Sequence, residues 1–320
     1  MKRILSIDGG GIKGVAPAAF LASLEQLFDI NVGDYFDLVV GTSTGGIIAL
    51  GLGAGLSAKQ ILDFYCEKGP TIFKGNRLLR AIRWLPMAKY SQHQLKIALE
   101  AAFGDITLGQ SRVRLVVPAA NLETGTVHIF KTQHHPRLQT DYHERMVDVA
   151  LATAAAPSYF PTQRLSSGIP LIDGGVWANN PVGFAVVEAI SMLGWPRDEL
   201  KVMSLGCTTA PLSTITAIIR PTGAWYWARK ITDVFMSTQS SASLGIAQHL
   251  AGHDSILRIS PEVSFSRFAL DDARDIKALA ELGSTAAHEA ADRVKFLFET
   301  KADRFVPIVG DASPRHTGLR

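Results

Sequence analysis

One stretch of the chain decides its fold class: FDLVVGTSTGGIIALGLG, residues 36–53. Phe36–Val40 is a short apolar run typical of a buried strand, and the residues from Gly45 to about Leu52 have helical composition. Between them stands a G-x-S-x-G motif, whose glycines permit the strained turn that pushes the Ser43 hydroxyl out of a sheet. The motif alone arises by chance in glycine-rich chains, but its strand–turn–helix setting is specific. The stretch therefore predicts an α/β fold with Ser43 as a candidate nucleophile.

A second glycine cluster, DGGGIKG at residues 8–14, lies between the strand-like Arg3–Ile7 and the helical Val15–Phe28. Successive glycines let backbone N–H groups turn toward an anion, and the following helix adds its positive end. The same cluster satisfies the G-x-G-x-x-G dinucleotide fingerprint, with Asp29 or Asp34 near the position of a ribose-binding acid. A tight turn without chemistry is a third interpretation.

A third cluster, Asp173-Gly174-Gly175, follows the strand-like Pro170–Ile172. An aspartate at the end of a buried strand, before two glycines, can project into a cleft. For any single Asp-Gly pair, however, a plain turn is the commoner explanation.

The rest of the chain alternates between apolar strands and amphipathic helices, which predicts a mostly parallel sheet covered on both faces. Further strands are predicted at Val113–Val117, Thr126–Phe130, Lys201–Leu205 and Ser255–Ile259. Further helices are predicted at Ala58–Lys68, His143–Ala152, Val182–Met192, Trp225–Leu250 and Asp275–Glu299. Without an internal linker, a single domain is expected over residues 1–305, with 306–320 as a flexible tail. The uncharged Leu38–Ala58 could span a membrane by length alone, but its glycines and hydroxyls favour a buried strand–turn–helix.

Composition excludes several classes of protein. The net charge of +3, from 32 basic and 29 acidic residues, is too small to indicate nucleic acid, so no DNA or RNA partner is expected. Cys66 and Cys207 are far apart in sequence and lack metal-type spacing, which predicts neither a disulfide framework nor a metal site. They fit a reducing, intracellular setting.

The segment Lys68–Leu99 contains no acidic residue, and its basic residues interleave with aromatic and aliphatic ones. This mixture is typical of an element that contacts a lipid surface or an anionic activator. The candidate residues for either role are Arg77, Arg80, Arg83 and Trp84. A helix packed on the domain with its basic residues in water explains the pattern almost as well.

Together and in this order, the three clusters resemble the patatin-like phospholipase family, which is marked by D-G-G-G-x-[RK]-G, G-x-S-x-G and D-G-[GA]. All three motifs stand here unaltered, and the resemblance extends from Ile4 to at least Pro181. It implies a three-layer α/β/α fold and a carboxylic ester hydrolase of the phospholipase A type that needs no cofactor. A dinucleotide-binding enzyme would leave Ser43 and Asp173 unexplained.

The resemblance also implies a role for each matching residue. Ser43 would be the nucleophile and Asp173 its only catalytic base, with no histidine between them. Backbone N–H groups of three glycines would form the oxyanion hole: Gly9, Gly10 and Gly11. The supporting positions are Lys13, Gly14, Gly41, Gly45, Gly174 and Gly175. For Lys13, orienting the loop, meeting a lipid head group and simple solvation all remain open.

Two other functions stay open at this point. The first is an esterase with a Ser-His-Asp triad, although His249 and His253 precede the last predicted strand and His134-His135 lies in a polar loop. The second is a lipid-binding scaffold without catalysis, which is disfavoured because every expected catalytic group is present.

The opening residues Met1–Ser43 most resemble bacterial patatin-like effectors of CBASS anti-phage signalling, which a cyclic dinucleotide such as cyclic GMP–AMP switches on. This resemblance implies a cyclic dinucleotide activator and a homo-oligomer on activation. It also implies a cytoplasmic protein that associates with the inner membrane when active. Arg220–Lys230 is a second basic segment that could meet such an activator.

Overall fold

The computed structural model describes residues 1–73, 88–209, 224–264 and 267–308, with only the backbone described at 224–230 and 233. Within these residues an eight-stranded sheet forms the centre of the fold. Its strands are β1 (Lys2–Ile7), β2 (Leu38–Gly41), β3 (Arg114–Asn121), β4 (Thr126–Lys131), β5 (Gln163–Arg164), β6 (Pro170–Asp173), β7 (Leu200–Leu205) and β8 (Ile256–Ile259). The α-helices are α1 (Val15–Phe28), α2 (Thr44–Ala54), α3 (Ala58–Ile72), α4 (His93–Phe103), α5 (Met146–Thr153), α6 (Gly175–Ala178), α7 (Val182–Val187), α8 (Ala224–Ala251) and α9 (Ile276–Val294).

Five neighbouring strands, in the order β3-β2-β1-β7-β8, run parallel. In this register Ile7 at the end of β1 lies beside Gly41 on one side and Leu205 on the other. The loops that follow β1, β2 and β7 therefore leave the sheet at the same edge. This arrangement places the 8–14 glycine cluster next to Ser43.

Strand β6 reaches that edge from the opposite direction. It runs antiparallel to β3 and places Asp173 opposite Ala119, whereas β2 pairs with the beginning of β3, at Arg114–Val116. Strand β4 pairs with β3 along Val116–Asn121 and so occupies one side of β3. Strands β2 and β6 therefore both pair with its other side, β2 near the beginning of β3 and β6 near its end. The ends of β2 and β6 therefore converge, and Asp173 arrives near Ser43.

Alternating side chains of the sheet build two cores, one on each face. Leu5, Val39 and Leu115 belong to the larger core, which includes residues of α1 to α5 and α9. Ile4, Val40 and Val116 face the smaller core beneath α7 and α8. Burying one such aliphatic side chain contributes roughly 1.5–3 kcal/mol. The predicted three-layer α/β/α architecture with a mostly parallel sheet is confirmed.

The predicted elements are present, with differences at their ends. The predicted helix Val182–Met192 changes after Val187 into a π-helical turn over Glu188–Met192, and the helix expected from His143 begins at Met146. Neither β5 nor α4 was predicted. The uncharged Leu38–Ala58 forms β2, the turn, α2 and the start of α3, as expected.

No helix in the described ranges is both long and apolar enough to cross a bilayer. The expected boundary between a domain at 1–305 and a flexible tail at 306–320 stays a prediction. Residues 309–320 lie outside the described residues.

Candidate active site

The turn that carries Ser43 is held in a backbone conformation that few residues adopt. Ser43 has φ 55° and ψ −121°, a positive φ that costs a non-glycine residue of order 1–3 kcal/mol. A Cβ added to Gly41 would lie 2.1 Å from the Gly45 carbonyl oxygen, and one on Gly45 would lie 2.3 Å from the Ile7 carbonyl oxygen. Only glycine fits at these two positions, so the motif predicted the geometry of the turn.

The Ser43 hydroxyl points at Asp173. Ser43 Oγ donates a hydrogen bond of 2.7 Å to Asp173 Oδ2, and the Gly175 N–H donates one of 2.6 Å to Asp173 Oδ1. Burial raises the pKa of the Asp173 carboxyl from 3.8 to about 6, although both hydrogen bonds oppose the shift. A carboxylate with this pKa can accept a proton near neutral pH.

Thr153, to which no sequence motif pointed, holds the Ser43 turn in place through hydrogen bonds. The Ser43 N–H donates to Thr153 Oγ1 at 2.9 Å, and Thr153 Oγ1 donates to the Pro118 carbonyl oxygen at 2.6 Å. Thr153 ends α5, and Pro118 lies on β3 beside the end of β6. The threonine thus links the Ser43 turn to the strand that positions Asp173.

Two of the three glycines expected to form the oxyanion hole lie at the pocket that contains Ser43. Gly10 and Gly11 line the same pocket as Ser43. The Gly9 N–H, however, donates to the Asn179 carbonyl oxygen at 2.9 Å, so it is not available to an oxyanion in this conformation. We therefore restrict the candidate oxyanion hole to Gly10 and Gly11.

The 8–14 glycine cluster is braced by a buried ion pair. Asp8 is 5 % exposed, and it accepts hydrogen bonds from Arg258 Nη1 at 2.9 Å and Arg258 Nη2 at 2.5 Å. Arg258 Nη1 also donates to Ser204 Oγ on β7, the strand between Arg258 and Asp8. Burial raises the pKa of Asp8, and the charge of Arg258 opposes this shift. No motif pointed to Arg258, because its partner lies 250 residues away in sequence.

The remaining supporting residues surround these groups. Lys13 and Gly14 lie in the 3₁₀ turn Gly11–Gly14, while Gly174 and Gly175 stand at the beginning of α6. The candidates Arg77, Arg80, Arg83 and Trp84, together with the side chains of Arg220–Lys230, lie outside the described residues.

Ser43 and Asp173 open into a pocket of about 380 Å³ with mainly apolar walls. Its apolar side chains include Ile12, Ile47, Phe64, Ile72, Phe73, Leu95, Phe160, Ile231, Phe235, Met236 and Leu270. Such walls accommodate a hydrocarbon chain, and they exclude the water that would weaken hydrogen bonds to a developing charge.

Histidine contributes nothing to this pocket within the described residues. None of the eight histidines that precede His316 lines it. The fully buried His134 instead faces Glu188, with 3.0 Å between Nε2 and Oε1, and burial lowers its pKa. In the described part of the chain, no group of three or more His, Cys, Asp or Glu side chains could hold a metal ion.

Comparisons with known proteins point to one family. A family model described as patatin-like phospholipase matches residues 5–186. A Pseudomonas aeruginosa protein named cGAMP-activated phospholipase is 34% identical over 91% of this chain and 86% of its own length. A Vibrio cholerae protein of the same name is 30% identical, over 95% of this chain and 96% of its own. Patatin-like protein 4 of Arabidopsis thaliana is 31% identical over 60% of this chain and 54% of its own length.

Proposed function

Because this chain belongs to the patatin-like phospholipase family, we propose that it hydrolyses fatty-acyl esters of phospholipids with Ser43 as the nucleophile and Asp173 as the base. The observation that carries the proposal is the 2.7 Å hydrogen bond from Ser43 Oγ to Asp173 Oδ2. It lies at an apolar pocket that suits an acyl chain.

The reaction proceeds in two steps. Ser43 Oγ attacks the ester carbonyl carbon while its proton passes to Asp173 Oδ2, and Asp173 then gives this proton to the departing alkoxide, which leaves as the alcohol. Asp173 next takes a proton from water, whose oxygen attacks the acyl-enzyme. Asp173 returns this proton to Ser43 Oγ as the fatty acid leaves. Backbone N–H groups of Gly10 and Gly11 stabilise the oxyanion in both steps, and each such donor is typically worth about 3–4 kcal/mol.

The dyad is tested with Ser43→Ala, Asp173→Asn and the double variant, by measuring fatty acid release from mixed phospholipid vesicles. Each single variant should lose nearly all activity while circular dichroism shows an intact fold. The double variant should be hardly worse than either single one, because the two residues act as a unit.

A histidine serves as the control for the rival triad. His134→Ala, away from the pocket, should leave turnover within about threefold once the variant is shown to fold. Near-normal turnover of Asp173→Asn, together with a histidine substitution that abolishes activity, would rule out the dyad.

We further propose that a cyclic dinucleotide activates the enzyme. Two bacterial relatives matched over more than 90% of this chain are named cGAMP-activated phospholipases. The activator site, oligomerisation on activation, membrane association and the anti-phage role implied by the resemblance remain predictions. The decisive assay compares fatty acid release with and without cGAMP and a panel of other cyclic dinucleotides.

A further inference from the structure

Helix α8 carries an apolar stripe on its exposed side. Ile231, Phe235 and Ile246 are 51%, 50% and 50% exposed, and Ala242 is exposed as well. At 100° per residue these four side chains fall within an arc of about 60°, and the stripe is about 22 Å long. We call these four residues the α8 stripe.

The opposite side of the helix is fixed to the fold, so the orientation of the stripe is set. Ser243 Oγ donates to the Asn180 carbonyl oxygen at 2.7 Å and accepts from the Gly183 N–H at 2.9 Å. Ala247 and Ala251 are buried in the smaller core. The α8 stripe therefore faces away from the sheet.

The part of this helix that follows Asp233 also lacks charged side chains, and the exposed His249 is its one titratable residue. From Val234 to Leu250 the sequence contains no Asp, Glu, Lys or Arg. Helices exposed to water normally carry charged residues on the outer face. Charged side chains oppose entry into lipid, whereas uncharged serine, threonine and small apolar residues oppose it much less.

The α8 stripe is continuous with the substrate pocket. Ile231 and Phe235, one turn apart, line the same pocket as Ser43 and Asp173 while half of each side chain faces solvent. Pro157, which is exposed, also lines this pocket. Whatever covers the α8 stripe must therefore lie at the entrance to the pocket.

We propose that the α8 stripe docks on the phospholipid membrane and brings the entrance of the pocket against the bilayer. The inference rests on the proposed function, because a phospholipid substrate is what makes lipid the occupant rather than protein. An acyl chain would then pass from the bilayer along Ile231 and Phe235 toward Ser43. Binding through uncharged residues does not depend on anionic lipid.

The test measures flotation with vesicles of pure phosphatidylcholine, with and without cGAMP. All proteins carry Ser43→Ala so that the vesicles stay intact. Ile246→Asp lies in the stripe but does not line the pocket, and it should lower vesicle affinity at least about tenfold. Binding of the parent should persist in high salt, since no ion pair is broken.

The matched control is Leu27→Asp, which introduces the same charge at a side chain that is 42% exposed. Leu27 lies in the last turn of α1, the helix that runs back from the glycine cluster toward the far edge of the sheet. Its vesicle affinity should equal that of the parent. In the Ser43 background, both variants should hydrolyse a water-soluble short-chain ester at the parental rate.

Unchanged vesicle affinity of Ile246→Asp would overturn the docking proposal. The proposal would also be overturned if Ile246→Asp changed the oligomeric state in sedimentation but left vesicle affinity unchanged. A second copy of the chain, rather than lipid, would then cover the α8 stripe. Failure of the parent to hydrolyse any ester would instead count against the proposed function, and flotation would still report on docking.

Discussion

The buried carboxyl of Asp173 gives the proposed reaction a characteristic pH dependence. Burial disfavours the charged form and raises the pKa of this acid to about 6, so the ionised base is lost as pH falls through about 6. We expect kcat/KM on a soluble ester to rise about tenfold per pH unit below about pH 6 and to level off above it. A pH–rate profile from about pH 4.5 to about pH 8 measures this. An acidic limb that disappears when a histidine is replaced would contradict the assignment.

At the same scale, the Asp8–Arg258 pair supports the glycine cluster. Arg258→Ala would leave the Asp8 carboxylate buried without a partner, and breaking a buried pair in this way typically costs about 3–5 kcal/mol. We expect a loss of this order in the free energy of unfolding, a lower kcat and little change in KM. Urea denaturation and steady-state kinetics measure these quantities.

An exposed ion pair provides the comparison for this prediction. Arg267 and Asp275 lie 2.8 Å apart, but their side chains are 49% and 44% exposed. Arg267→Ala should therefore cost less than about 1 kcal/mol. The Asp8→Asn, Arg258→Met double variant should recover much of the stability lost in Arg258→Ala. If Arg258→Ala and Arg267→Ala lowered the free energy of unfolding by equally small amounts, the Asp8–Arg258 pair would not stabilise the glycine cluster.

At the scale of structural elements, the loop between β1 and α1 packs against Cys207, in the loop that follows β7. A Cβ on Gly10 would lie 2.5 Å from Cys207 Sγ and 2.7 Å from Cys207 Cβ, so Gly10→Ala must displace either this loop or Cys207. Because the proposed role of the loop N–H groups is to bind the oxyanion in the transition state, kcat should fall by up to about 10²-fold while KM changes little.

A compensating substitution shows whether this displacement is the cause. In Gly10→Ala, Cys207→Gly, the side chain that the new methyl group meets is gone, and kcat should recover toward that of Cys207→Gly alone. A Gly10→Ala variant with normal kcat would mean that this loop does not bind the oxyanion.

At the scale of the whole molecule, an enzyme that attacks membrane lipids has to be restrained in its own cell. If the resting state dominates by 99 to 1, an activator must prefer the active state by about 5.5 kcal/mol to reverse that ratio. The two phosphates of a cyclic dinucleotide can provide this through charge-assisted hydrogen bonds to arginines. We expect weak vesicle hydrolysis by the protein alone and at least about tenfold stimulation by its cognate nucleotide. Full activity without nucleotide, unchanged across a broad panel, would leave a constitutive phospholipase.

The sequence by itself determined the fold class, the Ser43 turn and the identity of Asp173 as its candidate partner. These depend on local rules: glycine where a Cβ cannot fit, apolar strands before turns, and three motifs whose order matches one family. The tertiary structure decided what depends on pairing between distant segments. It showed how β2 and β6 converge along β3, and that the Gly9 N–H donates its hydrogen bond to the Asn179 carbonyl oxygen. It also showed that Thr153 holds the Ser43 turn and that Arg258 pairs with Asp8 beside the glycine cluster. No local pattern encodes such contacts, because the partners are brought together only when the sheet forms its register.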